Sequence, residues 1–403
     1  MSASRTQDAS RRRRKVLIVK TGHTELLTCE TSGGPSLGDV FRNTCLLWEY
    51  INDDVTWLTS ASASSLLTGE PFIQEKLDWS SQTLDYLATQ SFDLILNLER
   101  CQDISGWVES FFENSRSRSL LSVTNSRDGL AIFGNCATKI TVNTRFKSRL
   151  PWRLTQVLSG EAGMLRPATW GGRRQSVGHA VESNLCYQEH LFKAIGKKWR
   201  GQSYTIPAGV DPSIRPTLSV GFNFAVGAKW PVKAWPKDSW SQLAGLCESG
   251  GISYSFQEGF DGLHRYISWL QNHDVIVSSD SLGLHLALAL GRKVIGLFGP
   301  TRAQDIYFYG RGEGLVVDSA CPRTPCFQNE CDFKTHCMTT ITPQQVFSRL
   351  KHYLDTAEVS DNQPWVGWHL TKPCNSGLLL EREACADAQV LHSGLFRRQL
   401  EAD

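Results

Sequence analysis

Residues Asp274–Thr301 read DVIVSSDSLGLHLALALGRKVIGLFGPT, and the order of elements within them decides the fold. Val275-Ile276-Val277 is a short β-branched run of the kind that forms a buried strand. Ser278-Ser279-Asp280-Ser281 carries helix N-cap chemistry, and Leu284–Leu290 reads as a buried helix. Lys293–Phe298 is a second buried strand, ending in the turn Gly299-Pro300-Thr301. Strand, helix and strand in so few residues predict a parallel βαβ unit, whose ligands sit at the carboxyl ends of the strands. Both polar clusters, Asp280–His285 and Gly299–Thr301, fall at such ends. A helix N-terminus there offers free N–H groups and a partial positive charge, which suits a phosphate.

Working outward, a second α/β domain spans 215–355. Its strands are Ser219–Val226, Ile252–Phe256 and Gly314–Asp318, and its helices Asp238–Ser249, Gly262–Leu270 and Thr342–Tyr353. The loop Gly227–Lys237 carries Lys229 and Lys233 among tryptophans and prolines. A first α/β domain spans 15–210 and opens on the buried strand Lys15–Lys20, KVLIVK. Val55–Thr59, Asp93–Glu99 and the region Ala131–Gly134 supply further strands; Gln82–Gln90, Ile104–Phe112 and Glu182–Ile195 read as helices. Gly38-Asp39-Val40 opens a helix running to about Ile51. Thr21–Leu37 is long for a strand-to-helix loop, and loops of that length are usually functional. Residues 1–14 read as a disordered basic tail and 356–403 as a tail, docked or crossing.

The 403 residues carry 42 basic and 40 acidic side chains, a formal charge of 42 − 40 = +2, which argues against nucleic-acid binding. No membrane-length apolar run and no signal-peptide pattern stand out, so a cytoplasmic protein is expected. The cluster Arg11–Arg14 allows at most peripheral contact with a membrane. Two parallel-sheet domains facing a cleft suit nucleotide-sugar transferases and dinucleotide enzymes. The latter want G-x-G-x-x-G after a first strand, and neither Lys20-Thr21-Gly22-His23 nor Gly227-Ala228-Lys229 supplies it.

Of the twelve cysteines, eight are scattered singly and read as small core residues. Cys321, Cys326, Cys331 and Cys337 crowd into one short loop, with spacings unlike a zinc ribbon. Thiolates at that density can hold iron or zinc tetrahedrally, as a structural staple; free thiols or disulfides are the alternative. No Asp-x-Asp pair sits at a strand end, so no catalytic divalent metal is expected.

Several motifs fall together in order. They are KVLIVK with Ser36-Leu37-Gly38-Asp39-Val40, Gly227-Ala228 with Lys233-Ala234-Trp235-Pro236, and Asp280-Ser281-Leu282-Gly283-Leu284-His285 with Gly299-Pro300-Thr301. With these the chain resembles the ADP-heptose heptosyltransferases of glycosyltransferase family 9 over roughly residues 15–355. The resemblance implies the GT-B architecture, two Rossmann-like parallel-sheet domains facing across a cleft. It also implies inverting transfer of a heptose from an ADP-activated donor to a hydroxyl, with Asp39 as general base. The acceptor would be lipopolysaccharide core, a protein hydroxyl or a small natural product. Two departures stand out: the Thr21–Leu37 insertion, and a glycine one position late at Gly283. The cysteine loop resembles that of the branch that modifies autotransporter proteins and binds iron, and a homo-oligomer is compatible with it.

Each candidate has a plainer reading. Asp39 alone is an ordinary N-cap, Lys233 and Lys229 are loop lysines, and His285 is a satisfied core histidine. In the transferase reading Lys233, with Lys229 behind it, meets a phosphate as a point charge. Ser281 and His285 donate to the diphosphate, Gly283 admits the backbone, Asp280 orients the loop or bonds the sugar, and Thr301 completes the pocket. A non-catalytic, metal-stapled nucleotide-binding assembly protein and a nucleotide-sugar epimerase are the other functions compatible with the fold.

Overall fold

The computed structural model describes residues 12–23, 34–99, 101–124, 139–144, 185–211, 214–259, 262–317, 321–333, 336–355, 366–370 and 380–384. The first sheet contains β1 (Lys15–Val19), β2 (Asp54–Thr59), β3 (Glu75–Asp78), β4 (Leu94–Asn97), β5 (Ser119–Thr124) and β6 (Lys139–Thr144). Their spatial order is β3-β2-β1-β4-β5-β6, parallel throughout except for β6, which runs antiparallel to β5. The second sheet holds β7 (Leu218–Asn223), β8 (Tyr254–Phe256), β9 (His273–Ser279), β10 (Lys293–Phe298) and β11 (Gly312–Val316). Its order is β11-β10-β9-β7-β8, all parallel. These are two Rossmann-like sheets, the fold class read from the sequence.

Nine α-helices frame the sheets among the described residues: α1 (Leu37–Phe41), α2 (Ala61–Ser64), α3 (Ser81–Ala88), α4 (Gln102–Asn114), α5 (Tyr187–Ala194), α6 (Lys237–Ser249), α7 (Leu263–Gln271), α8 (Leu282–Ala289) and α9 (Pro343–Asp355). The apolar strands are buried on both faces, and the period of two sorts their side chains. Leu17 and Val19 of β1 pack with Leu87, Ile104, Val108 and Phe111 under α3 and α4. Val275 and Val277 of β9 pack with Trp240, Leu243, Val346 and Leu350 under α6 and α9. The alternate residues, Val16 and Ile18 of β1 and Ile276 of β9, enter one shared core with Phe41, Leu46, Leu191, Leu284, Leu286 and Phe298. That core joins the two halves of the chain, and α1 packs directly on α8.

Two expectations need correction. The helix opened by Gly38 ends at Phe41, and Thr44–Glu49 continues as a 3₁₀ helix. Asn43 is the reason: its Nδ2 donates to the Asp39 carbonyl at 2.5 Å, and its N–H turns to Val40 O at 3.1 Å. The side chain takes the carbonyl that a continuing α-helix needs, so the turn tightens. At the amino end, Arg14 forms a two-pronged pair with Asp53 (3.0 and 2.5 Å), and Arg13 lies 3.7 Å from Asp54. The last residues of the basic tail are thus tied to the start of β2. The strand expected at 131–134, the 24–33 part of the insertion and nearly all of 356–403 lie outside the described residues. Among the described residues no helix is long and apolar enough to cross a membrane.

Candidate functional site

The site forms where β9 and β10 end and α1 leans on α8. Strand β9 delivers Ser278, Ser279 and Asp280 to its carboxyl end, and Ser281 stands at the N-cap position of α8. The Ser281 side chain does not cap the helix. Its hydroxyl accepts from Asn223 Nδ2 at 3.0 Å, while the same amide donates to Ser278 Oγ at 2.7 Å. Asn223, at the carboxyl end of β7, also accepts from the Tyr266 hydroxyl at 2.7 Å. Leu284 N–H turns to Ser281 O at 3.2 Å, so without a side-chain cap the Leu282 and Gly283 N–H groups are the ones a phosphate would meet.

This network explains the late glycine. A Cβ on Gly283 would run into the Tyr266 hydroxyl and the Asn223 amide. Only glycine lets the first turn of α8 pass beneath both groups. Asn223 and Tyr266 escaped the sequence reading because they lie far from the motif in the chain; a polar residue closing an apolar strand was the one available signal.

Lys233 reaches this loop from the short 3₁₀ turn Pro231–Lys233. Its Nζ donates to Asp280 Oδ2 at 2.7 Å and lies 4.9 Å from the centre of the Trp230 ring. Burial alone would raise the Asp280 carboxyl, but Lys233 and His285 hold it down at about 2. Burial pushes the His285 imidazole down to about 4 against the pull of Asp280, so the ring is neutral at pH 7. Its Nε2 lies 4.0 Å from Asp280 Oδ1, and its Nδ1 meets the Tyr204 hydroxyl at 3.2 Å. Thr301 lies close enough to favour the ionised Asp280, though its hydroxyl makes no hydrogen bond of normal geometry. Lys233 and Asp280 thus form a mostly enclosed ion pair, 15% and 16% exposed. A charge so enclosed needs its partner.

Asp39 stands on the other wall, in the first turn of α1, and it does not cap that helix from the N-cap position, which Ser36 occupies. Arg42 Nη2 donates to Asp39 Oδ1 at 2.6 Å, and the guanidinium also rests 4.0 Å from the Tyr187 ring centre. A Cβ at Gly38 would sit 3.7 Å from the Leu282 backbone and 3.8 Å from His285 Cδ2, so the Asp39 turn abuts the Asp280–His285 loop. Burial lowers the Lys229 ammonium below its ordinary value, against the pull of Asp39 and Glu99 of the first half. Asp305, which the sequence reading missed, adds a carboxyl beside Arg302 (3.8 Å); burial raises it to about 6 despite Arg302 and Arg42.

Cys321, Cys326, Cys331 and Cys337 line one small pocket with Pro300 and His336. Burial and the other three thiols push Cys337 up to about 11. Among the described residues, however, no group of three or more His, Cys, Asp or Glu side chains is drawn together to hold a metal ion. The four sulfurs share a pocket without closing into a ligand set. The loop nonetheless packs on the site: a Cβ at Gly299 would lie 2.6 Å from Met338 Sδ and 2.9 Å from Cys337 Sγ, and Phe327 N–H donates to Pro300 O at 2.8 Å. Cys45, Cys101, Cys186 and Cys247 are buried core residues, as expected.

The model of glycosyltransferase family 9 (heptosyltransferase) matches residues 262–336, which include the Asp280–His285 and Gly299–Thr301 motifs. Lipopolysaccharide heptosyltransferase 1 of Pseudomonas aeruginosa is 25% identical over 168 residues, 32% of this chain and 47% of that protein. Lipooligosaccharide heptosyltransferase 2 of Campylobacter jejuni is 32% identical over 89 residues, 21% of this chain and 27% of that protein. The chain thus spans less than half the length of these curated relatives. Among solved structures, the E. coli heptosyltransferase WaaC with ADP-2-deoxy-2-fluoro heptose aligns at a TM-score of 0.48 and 16% identity, over 84% of this chain and 99% of WaaC. The iron-containing dodecameric glycosyltransferase TibC from enterotoxigenic E. coli aligns at 0.47 and 12% identity, over 85% of this chain and 77% of TibC.

Proposed function

We propose that this chain, a relative of the heptosyltransferases of glycosyltransferase family 9, transfers a heptose or similar sugar from an ADP-activated donor to an acceptor hydroxyl, with inversion. The observation that carries the reading is the meeting of the two motif halves: the Asp39 turn lies against the Asp280–His285 loop across the cleft. Inverting transfer needs a base on the acceptor side and cationic groups on the leaving-group side, on opposite faces of one sugar carbon. Asp39, on α1, and Lys233, on the turn after β7, come from the two halves of the chain and suit those two roles.

In this mechanism the acceptor oxygen attacks the anomeric carbon as the bond from that carbon to the diphosphate oxygen breaks. Asp39 takes the hydroxyl proton, and Arg42 holds the carboxylate in place from its 2.6 Å contact. Lys233 and the free N–H groups at the start of α8 receive the charge that develops on the diphosphate. Before the donor arrives, Asp280 occupies Lys233; a bound diphosphate competes for the same ammonium. Neutral His285 donates through one ring nitrogen. The family resemblance supports ADP and heptose as the donor parts. The names of the curated relatives support a lipopolysaccharide or lipooligosaccharide acceptor, and a cytoplasmic location fits a nucleotide-sugar donor.

The cysteine loop supplies thiol donors of the right chemistry for structural iron or zinc. Cys321, Cys326, Cys331 and Cys337 would hold it, and its effect would be to fasten the loop against the Gly299–Thr301 turn. No step of the transfer runs through it. Neither the epimerase nor the non-catalytic alternative gains an observation in its favour.

Asp39→Asn tests the assignment. Transfer from ADP-heptose to a lipopolysaccharide-core acceptor should fall at least about 100-fold while ADP binds as before, because general-base catalysis contributes on that scale. Undiminished turnover would refute the role of Asp39.

A further inference from the structure

The hydrogen bonds that lead to His285 have a fixed direction, because the chain they form begins at a backbone carbonyl. Gln202 O can only accept, and it takes the Tyr309 hydroxyl proton at 3.3 Å. With that proton committed, Tyr309 Oη accepts from Gln188 Nε2 at 3.0 Å, so the nitrogen of the amide faces the two tyrosines. The second amide proton goes to Tyr204 Oη at 2.8 Å. Tyr204 then has its own proton left to give, and the atom it faces is His285 Nδ1 at 3.2 Å. The reverse placement of the amide would leave two unmet donors where Gln188 Oε1 now lies without a partner, and a buried oxygen is the cheaper orphan. All four side chains are buried, so bulk water does not scramble these directions. Tyr309 also holds a φ of 53°, uncommon for a residue other than glycine, which its surroundings must enforce.

We propose that Tyr204, directed by Gln188 and Tyr309, is a positioning residue that fixes His285 in the tautomer with Nδ1 bare and the proton on Nε2. The use of that proton rests on the glycosyl-transfer reading; the direction of the hydrogen bonds does not. The His285 ring is neutral at pH 7, so one nitrogen carries its only proton. Nε2 lies 4.0 Å from Asp280 Oδ1, beyond hydrogen-bond length, which leaves its N–H for a phosphate oxygen of the donor. The opposite tautomer would turn a lone pair toward the Asp280 carboxylate and toward that phosphate. Gln188, Gln202 and Tyr204 belong to the first half of the chain, His285 and Tyr309 to the second. The donating nitrogen is therefore set only while the seam between the halves is closed.

The test uses the full chain with isotope-labelled histidine and follows the His285 ring nitrogens by NMR, identified by their loss in His285→Asn. Wild-type protein should show Nδ1 unprotonated and Nε2 protonated; the reverse overturns the proposal. The Asp280 charge favours the same tautomer, so Asp280→Asn removes that contribution, and the pattern should persist. A pattern that collapses in Asp280→Asn alone would assign the tautomer to Asp280 and overturn the proposal. Adding Gln188→Met or Tyr204→Phe to Asp280→Asn should lower the ratio of the two tautomers about five-fold, the worth of one neutral hydrogen bond. Gln188 bonds the two tyrosines rather than His285, so a purely structural role would lower the unfolding midpoint and leave the tautomer ratio as it was. That outcome also overturns the proposal. ADP failing to bind the wild-type chain refutes the transferase reading instead, while the ring nitrogens still decide the tautomer.

Discussion

The glycine at 283 lends itself to a quantitative test, because what surrounds it is fixed. Tyr266 donates to Asn223 at 2.7 Å, and Asn223 in turn holds Ser278 at 2.7 Å and Ser281 at 3.0 Å. Tyr266 is itself stacked on Trp269, at 15° and 6.2 Å between ring centres, so it has little room to retreat. Gly283→Ala places a methyl against the Tyr266 hydroxyl and the Asn223 amide, and overpacking of that kind costs about 1–3 kcal/mol. Tyr266→Phe removes the hydroxyl and leaves Asn223 Oδ1 without its donor, again about 1–3 kcal/mol. The two changes share one oxygen atom, so they should not add. In the double variant the hydroxyl that the methyl strikes is gone, and the total should fall short of the sum by about 1 kcal/mol. The residual clash with Asn223 keeps the rescue partial. Urea denaturation of wild type, both single variants and the double variant, followed by intrinsic fluorescence, gives the coupling energy. ADP titration of the same four proteins should show its largest loss in Gly283→Ala, which displaces the amide that holds Ser278 and Ser281. Strict additivity, or a Gly283→Ala protein as stable as wild type, would refute the account of why the glycine stands at 283.

Two further outcomes follow from groups near the same loop. Burial raises the Asp305 carboxyl from an ordinary value near 3.8 to about 6, so the stability it contributes is complete below pH 4 and is lost as pH rises through 6. Asp305→Asn should therefore stabilise the protein at pH 8 by on the order of 1–2 kcal/mol and give no gain at pH 4; equal gains at both would contradict the assignment. For the cysteine loop, elemental analysis of protein prepared without added metal should find about one iron or zinc per chain, largely lost in Cys326→Ser. Wild-type protein free of both metals would leave the four thiols as ordinary loop residues.

The βαβ segment was legible because its buried strands and helix are apolar runs long enough to name themselves, and because strand ends in such a unit announce where a ligand goes. The rest of the site was legible in proportion to how local it was. Lys233, Asp280 and His285 were visible as motif residues, but their pairing depends on a fold contact 47 residues apart in the chain, between Lys233 and Asp280. Asn223, Tyr266, Arg42 and Asp305 carry no pattern of their own; each acquires its role from a neighbour brought in by the sheets. Strand β3, Glu75–Asp78, was missed for a different reason: EKLD is a half-exposed edge strand with three charged residues and one leucine, the composition that blunts a sheet edge and also that of a loop. The α1 break was hidden because a single asparagine amide, not the periodicity around it, stops the helix.

The apolar core that runs from β1 to β9 has a mechanical meaning. Phe41 contacts Tyr204 at 5.5 Å between ring centres, Tyr204 contacts His285 and Tyr309, and buried Gln188 donates to both tyrosine hydroxyls at 2.8 and 3.0 Å. These residues come from α1, α5, the segment after α5, α8 and the turn before β11, so the seam between the halves is stitched by oil and by hydrogen bonds together. Prising the halves apart would wet that seam and strand the Gln188 amide. Wide rigid-body opening is therefore the expensive way for the proposed donor to enter; rearrangement of loops at the mouth is the cheaper one. The same seam should make the two sheets share one melting event, so that damage on either side of the cleft is felt by both.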